Sequence, residues 1–248
     1  MRVNRVYYPQ PMESGQRIEL DADTTHHLIN VLRMQPAQTL VLFDGSGTEY
    51  NAVIESASKK SACVLIEASR NRDTQSSLYT TLAIALSRND RVDTAIQKCT
   101  ELGVDTIALV QCDRSQSKLS ADRIPKKMRH WQQIAVSASE QSGRTVLPEI
   151  IAPKSLEDFL ASQESTQKDK TLKLLLAPEG AEARLPASGV EATCVLTGPE
   201  GGFSNQEIEL AVQAGFVGVN FGPRILRAET APIAALSVLQ SKYGDLPG

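Results

Sequence analysis

The stretch from residue 193 to residue 236 constrains the fold of this chain most, because one pattern occurs in it twice. Each half is a short apolar run, 193–196 or 216–221, followed by a loop rich in glycine and proline and then by a helical pattern. The first loop (residues 197–202) reads TGPEGG, and the second loop (residues 222–227) reads GPRILR. Ligands of open α/β folds bind at the carboxyl ends of strands, where glycine lets backbone approach a ligand closely. We therefore expect the two loops to form one pocket, although ordinary strand-to-helix turns carry the same punctuation.

Local signals predict a helix after each loop. Ser204 and Glu207 form a capping-box pattern, so we expect a helix that begins at Ser204 and carries Val212 on its apolar face. Gly215 suits the left-handed backbone position beyond the end of this helix, and Thr230 is a candidate cap for the last helix. Neither loop contains Gly-Lys-Ser/Thr or Gly-x-Gly-x-x-Gly, which disfavours a phosphate cradle and leaves a nucleoside-type ligand open.

The pattern of the chain changes near residue 73, which predicts two domains. Residues 1–72 hold short β-prone runs and one helical segment at 24–32, in which Val31 is expected to face inward, so this region suggests a small β-barrel with one helix. A polar linker is predicted at 69–77. Residues 73–248 alternate strand and helix, which is typical of an α/β fold with a mostly parallel sheet and helices on both faces. The strands predicted in this second region are 78–86, 107–110, 173–176, 194–196 and 217–221.

Composition bounds the classes of function. Apolar residues make up 41% and charged residues 22% of the chain, which is ordinary for a globular protein. No apolar run approaches the ~20 residues that span a bilayer, and the N-terminus lacks a signal-peptide pattern, so we expect a cytoplasmic protein without a membrane segment. The four cysteines and three histidines show no metal-ligand spacing, so we expect reduced thiols and no metal.

Basic residues are concentrated between residues 114 and 144, a segment that contains seven Lys and Arg residues and only two acidic residues. Four side chains of this segment recur at helical spacing: Arg123, Lys126, Lys127 and His130. Such a stripe can follow nucleic-acid phosphates, or it can be a solvated helix face. The candidate RNA contacts of this segment are Arg114, Arg123, Lys126, Lys127 and Arg144.

Three arginines of the first region are further candidates for RNA contact. Arg2 and Arg5 lie on the first predicted strand, and Arg33 ends the short helix. Because the region is otherwise close to neutral, these arginines could equally be domain-interface or surface residues.

The two loop motifs also carry a resemblance. LTGPEGGFSNQEIE (196–209) and FGPRILRAETAPIAAL (221–236) closely resemble the bacterial 16S ribosomal RNA uracil-N3 methyltransferase family, within the SPOUT class of S-adenosylmethionine (SAM) methyltransferases. Shorter matches lie at 27–33, 43–47, 97–104 and 140–144, so the resemblance runs nearly end to end.

The resemblance implies a fold, a cofactor and partners. Residues 1–72 would be a PUA-like β-barrel that binds RNA, and residues 73–248 a SPOUT methyltransferase domain with a deep trefoil knot. The protein would be a homodimer that acts on 16S ribosomal RNA of the small ribosomal subunit. The residues implied to line the SAM site are Leu176, Thr197, Gly198, Gly201, Gly202, Phe221, Gly222, Ile225 and Leu226.

Catalysis at N3 of uracil requires the loss of the N3 proton, which a base or a nearby cation must assist. Arg227, with Glu200 or Glu229 nearby, is the candidate for this role; Arg224 and Arg227 could instead be bonded to those carboxylates. Two alternatives stay open. One is a SPOUT ribose 2′-O-methyltransferase, and the other is a non-catalytic RNA-binding factor in ribosome assembly.

Overall fold

A computed structural model of the chain describes residues 4–58, 60–116, 119–164, 170–176 and 184–246. The chain forms two compact units. The first comprises Met1–Gln75 and Ser139–Leu147, and the second comprises Ser76–Ala138 and Pro148–Gly248. The division drawn from the sequence cuts the chain once, at 72/73, whereas the folded chain also assigns a short later segment to the first unit.

The first unit is a small β domain. Its elements are β1 (Asn4–Tyr7), β2 (Arg17–Glu19), α1 (Ala22–Thr25), a π-helical turn (His26–Val31), β3 (Thr39–Phe43), β4 (Thr48–Ala57) and β5 (Ala62–Asn71). The strand order is β1-β3-β4-β5-β2, with β1 parallel to β3 and the other pairs antiparallel. The β5 strand continues to Asn71, so the linker predicted at 69–77 begins too early.

The short helix of this unit differs from the prediction at both ends. It begins at Ala22 because the Asp21 carboxylate caps it, accepting the backbone N–H of Thr24 at 2.8 Å. It then widens into the π-helical turn, in which the backbone N–H of Leu32 donates to the carbonyl of His27 at 2.9 Å. The wider turn rotates the following side chains, and Val31, predicted to face inward, is 58% exposed.

The second unit is built on a six-stranded parallel sheet. From Tyr79 onward the elements are β6 (Tyr79–Ala85), α2 (Asn89–Glu101), β7 (Thr106–Gln111), a 3₁₀ turn (Ala121–Arg123), α3 (Ile124–Ser142), β8 (Glu149–Ser155), α4 (Leu156–Glu164), β9 (Thr171–Leu176), β10 (Ala192–Thr197), α5 (Asn205–Gln213), β11 (Val217–Val219) and α6 (Thr230–Tyr243). The strand order is β11-β9-β10-β6-β7-β8, and every pair is parallel. The prediction of an α/β fold with a mostly parallel sheet is confirmed.

Helices cover both faces of this sheet, as predicted. Leu82 and Ile84 of β6 pack in one buried cluster with residues of α2, α3 and α6. Their neighbours Ala83 and Ala85 point to the opposite face and pack with residues of α4 and α5. The sequence analysis predicted neither β8 nor α4. β8 is an edge strand that contains Pro153 and a register shift, and proline is untypical of a strand interior.

The helices after the two loops follow the local signals in part. The capping box of Ser204 and Glu207 is present, and Gly215 has a φ of 85°. Val212 is 56% exposed, so its placement on the apolar face was wrong. The last helix begins at Thr230, with Glu229 in the cap position and no side-chain cap bond, so the prediction of a Thr230 cap was also wrong.

Candidate functional site

Both loops leave the parallel sheet at one edge. In the strand register, Thr197 at the end of β10 lies opposite Leu176 at the end of β9, and Leu176 lies opposite Val219 at the end of β11. The carboxyl ends of three adjacent strands therefore form a row from which the first and second loops both start. This is the edge at which ligands of open α/β sheets bind.

Glycine permits the close turns within the two loops. Gly202 in the first loop has a φ of 68°, and Gly222 in the second has a φ of 102°, in the region that side chains disfavour. A Cβ added to Gly198 would lie 3.0 Å from the ring of Phe203, the residue that follows the first loop, so this ring occupies the space beside Gly198.

The side chains expected at the cofactor site differ in their exposure to solvent. Thr197 is buried, and its hydroxyl donates to the carbonyl of Ala83 at 3.3 Å, so it ties β10 to β6. Phe221 and Leu226 are half-buried. Ile225 is 88% exposed at the tip of the second loop, where it offers an open apolar surface.

An arginine that the sequence did not single out lies between the candidate carboxylates. Arg91 of α2 donates from Nη1 to Oε1 of Glu200 at 2.9 Å, and its Nε lies 3.6 Å from Oε2 of Glu229. All three side chains are largely buried. The bonds that sequence suggested for Arg224 and Arg227 are thus made by a residue 109 positions before Glu200.

The group formed by Arg91, Glu200 and Glu229 has spare acceptor capacity. One guanidinium faces two carboxylates, so the three side chains together carry a formal charge of about −1 at neutral pH. Oε2 of Glu200 is buried and has no hydrogen-bond partner among the described residues. Such an atom is costly to bury unless a donor reaches it. Arg224 and Arg227 are exposed, and neither makes an ion pair within the described part of the chain.

Arg114, a candidate RNA contact outside the basic stripe, contacts the first loop. Its Nη1 donates to the carbonyl of Gly201 at 3.1 Å. The preceding residue, Asp113, accepts the Ser204 hydroxyl at 2.8 Å and donates its backbone N–H to Glu207 at 2.8 Å. The segment after β7 therefore braces both the first loop and the start of α5.

The predicted basic stripe follows the exposed side of α3. Arg123 lies in the 3₁₀ turn and the other members lie on the helix, where they line an open groove of about 870 Å³. Nε2 of His130 lies 2.8 Å from Oδ2 of Asp93, and this carboxylate offsets part of the positive charge of the stripe. The residues that line the groove are Arg123, Lys126, Lys127, Arg129, His130 and Gln133.

The remaining candidate arginines are spread through the first unit. Arg5 donates to the buried carboxylate of Glu49 at 2.7 Å, and Arg70 and Arg72 bind the same carboxylate. Burial alone would raise the pKa of Glu49, but the hydrogen bonds from these arginines hold it below its usual value.

Solvent exposure distinguishes the other candidate RNA contacts of the first unit. Arg33 is exposed, with a φ of 56°, and is open to a partner. Arg144 is only 4% exposed, so it is an interior residue rather than part of an open basic surface. Arg2 lies outside the described residues.

Metal-ligand clusters and membrane-spanning helices were two further features to consider in the described residues. No group of three or more His, Cys, Asp or Glu side chains that could hold a metal ion occurs there. No helix in the described ranges is long and apolar enough to cross a membrane. The four cysteines are free.

Comparison with known proteins identifies the family. Residues 74–240 match an RNA methyltransferase domain family, and residues 20–67 match an RNA methyltransferase PUA domain family. The chain belongs to this RNA methyltransferase family. The resemblance inferred from the loop motifs is confirmed.

Relatives and solved structures match over nearly the whole chain. Ribosomal RNA small subunit methyltransferase E of Buchnera aphidicola (subspecies Schizaphis graminum) is 34% identical over 99% of this chain and 98% of its own length. Its namesake in Bacillus subtilis is 31% identical over 96% of this chain and 95% of its own length. A methyltransferase of Legionella pneumophila, solved with bound SAM, is 38% identical with a TM-score of 0.93, covering 99% of this chain and 100% of that one. Ribosomal RNA small subunit methyltransferase E of Neisseria gonorrhoeae, also bound to SAM, is 34% identical with a TM-score of 0.89 over 99% of this chain and 100% of its own.

Proposed function

We propose that this chain is a SAM-dependent methyltransferase that modifies N3 of one uridine in 16S ribosomal RNA of the small ribosomal subunit. The observation that carries the proposal is the row of three strand ends from which both glycine-containing loops start. Full-length relatives named for small-subunit ribosomal RNA methylation, and similar structures with bound SAM, support the same reading.

The proposed cofactor site fits the chemistry of SAM. Backbone of the two loops would contact the nucleoside, with Leu176 at the end of β9 and Leu226 in the second loop as apolar walls. SAM, when bound, supplies a methyl group on a cationic sulfonium. The net negative group of Arg91, Glu200 and Glu229 beside the first loop is favourable to a cation, and the free Oε2 of Glu200 can accept a ligand N–H.

The protein groups must handle the proton on uracil N3. As the N3–methyl bond forms and the carbon–sulfur bond breaks, the N3 proton has to leave to a base or to water. We propose that Arg227, exposed and without an ion-pair partner among the described residues, stabilises the negative charge that develops on the uracil. Glu200 lies in the first loop and Glu229 two residues after the second, so they are the candidate carboxylates for accepting the proton. Arg91 forms an ion pair with each of them.

Ribosomal RNA would contact several basic groups of the chain. The groove along α3 offers a row of cations that suits the phosphate backbone. Arg33 and Arg114 are exposed candidate contacts, whereas Arg5 is engaged with Glu49 and offers little free surface. The family match of residues 20–67 supports RNA binding by the first unit. The target base must leave its stack to enter a site at the sheet edge.

We further propose the finer architecture implied by the family: a PUA-like β-barrel in residues 1–72, a knotted SPOUT domain in residues 73–248, and a cytoplasmic homodimer. In support of the knot, β11 lies at the sheet edge beside β9, yet the following helix α6 returns to pack on α2 and β10. In support of the dimer, α6 is largely apolar and exposes Val238. Sedimentation at micromolar concentration should give the mass of a dimer.

The deciding experiment is single-turnover transfer from methyl-labelled SAM to small subunits or 16S RNA that lack the modification, followed by nucleoside analysis. We expect the label on uracil N3. Label on a ribose 2′-hydroxyl would assign the alternative SPOUT reaction instead. RNA binding without any transfer would favour the non-catalytic assembly factor.

A further inference from the structure

We propose that Arg91 is a positioning residue for methyl transfer. It would hold the first loop against the start of α6, and so set the shape of the pocket between the two loops. The inference rests on the proposed function and deepens it, because Arg91 lies outside the short motifs by which the sequence resembles the family.

Arg91 reaches the site from a rigid element. It lies in the first turn of α2, whose residues Val92, Ala95 and Ile96 are buried in the core of the second unit. The strand before α2 is β6, which pairs directly with β10, and Ile84 lies opposite Thr197 at the start of the first loop. Both loops lack regular secondary structure, so their relative position depends on contacts such as those of Arg91.

The contacts use two different nitrogens of one guanidinium. Nη1 donates to Glu200 of the first loop, and Nε faces Glu229, two residues beyond the second loop. A planar guanidinium can serve two carboxylates in fixed directions, whereas the ammonium of a lysine is one point charge on a flexible stem. Glu200 receives a directed hydrogen bond, whereas Nε meets Glu229 at ion-pair distance, so one arginine engages both carboxylates at once.

The link also orients the free oxygen of Glu200. With Oε1 held by Arg91, Oε2 is fixed in a buried position where no described residue donates to it. A bound substrate would find this acceptor already oriented, which is how preorganised groups reduce the cost of binding and reaction.

The test measures cofactor binding and chemistry separately. Arg91→Gln should weaken SAM binding by about tenfold in calorimetry. It should also lower the single-turnover rate at saturating SAM and RNA by about 10²-fold, because misplacement of the pocket also misaligns the reaction. Arg91→Lys should recover only part of both losses. The matched control is Lys98→Gln, which removes a partly exposed ion pair with Glu101 on the same helix and should change neither quantity.

A double-mutant cycle separates positioning from general destabilisation. If Arg91 acts through the carboxylates, Arg91→Gln should cost much less SAM affinity in a Glu200→Gln background than in the native chain. Full additivity of the two changes would overturn the proposal, as would full activity of Arg91→Lys. Should Arg91→Gln fail to fold, Arg91→Lys with Glu200→Gln and Glu229→Gln supplies the same cycle.

The two proposals can fail separately. Normal SAM binding and normal rates in Arg91→Gln, with the native chain methylating uracil N3, would remove the role of Arg91 and leave the function standing. Absence of N3 methylation by the native chain would remove the proposed reaction, while calorimetry with SAM would still decide whether Arg91 shapes the pocket.

Discussion

Arg114 donates from Nη1 to the carbonyl of Gly201 over 3.1 Å and so connects the segment after β7 to the first loop. A Cβ added at Gly201 would lie 3.1 Å from the Cβ of Arg114 and 3.6 Å from its carbonyl oxygen. Glycine at this position therefore allows two backbone segments to approach each other at the sheet edge. The same close approach leaves the first loop little freedom to move aside for a larger residue.

This contact leads to a prediction for Gly201→Val. The branched side chain would press on Arg114 and displace the first loop, so SAM affinity should fall by at least about tenfold while the protein stays folded. Calorimetry with SAM, with a thermal melt to monitor folding, tests this. Gly201→Ala should give a smaller loss because it adds only the Cβ. Unchanged affinity in both variants would remove the first loop from the SAM pocket.

The sequence predicted the parts of the site that depend on local chemistry. The capping box at Ser204, the left-handed Gly215 and the two loops follow from residues a few positions apart, and all are present. The link from Arg91 to Glu200 joins residues 109 positions apart, and no local pattern distinguishes Arg91 from the exposed Arg88 beside it. Pairings of this kind are set by tertiary packing, so the alternative in which Arg224 or Arg227 binds these carboxylates could not anticipate Arg91 as their partner.

The same limit applies to the first unit. The β-prone runs predicted most strands, but not that Arg5 would be committed to a buried carboxylate 44 positions away. The π-helical turn at His26–Val31 was also missed, because an apolar pattern at helical spacing does not reveal where a helix widens.

Glu49 should make the stability of the protein depend on acid. Its pKa in the folded state lies below the usual value, so it contributes stability that is present above the ordinary carboxyl range and is lost as the pH falls through the folded-state value. Glu49→Gln should lower the free energy of unfolding by roughly 1–3 kcal/mol at pH 7. Chemical denaturation between pH 3 and pH 7 checks both statements.

Glu140 supplies the opposite sign and serves as the contrast for that experiment. Burial raises the pKa of Glu140, so its contribution to stability is present below the ordinary carboxyl range and is lost as the pH rises through the raised folded-state value. Glu140→Gln should therefore steepen the acid loss that Glu49 causes, whereas Glu49→Gln should flatten it. Parallel pH profiles for the native chain and Glu49→Gln would exclude the role given to Glu49.

The cysteines should differ sharply in reactivity. Burial raises the pKa of the Cys99 and Cys112 thiols far above the usual value and that of Cys194 to about 12, so few thiolates form near neutral pH. Cys63 is only partly buried. Brief alkylation of the native protein at pH 8, followed by peptide mass spectrometry, should label Cys63 first and leave the other three until the protein unfolds. Early labelling of Cys99 would show that the core of the second unit opens readily.

The groove along α3 should govern the salt dependence of RNA binding. Changing Arg123, Lys126 and Lys127 together to Gln removes three candidate phosphate contacts, each contributing about 0.9 to the log–log slope of affinity against salt on duplex-like RNA. RNA affinity and the slope should both fall, while SAM affinity should stay as in the native chain. Equal slopes for the variant and the native chain would identify the stripe as a solvated helix face.

Arg227→Ala should separate chemistry from cofactor binding. Arg227 is exposed and makes no ion pair among the described residues, whereas its backbone carbonyl accepts the N–H groups of Thr230 and Ala231 at the start of α6. The substitution keeps those backbone bonds, so the second loop should retain its conformation. If the guanidinium stabilises the uracil anion, its interaction strengthens in the transition state, and the rate should fall by about 10²–10³ with little change in SAM affinity. Arg227→Lys should recover part of the rate because it restores the positive charge.

Single-turnover transfer from labelled SAM at saturating RNA measures the effect, and calorimetry supplies the affinity. A normal rate in Arg227→Ala would transfer the catalytic role to Glu200 or Glu229. Substituting those two carboxylates one at a time, with Arg91 intact, would then distinguish between them.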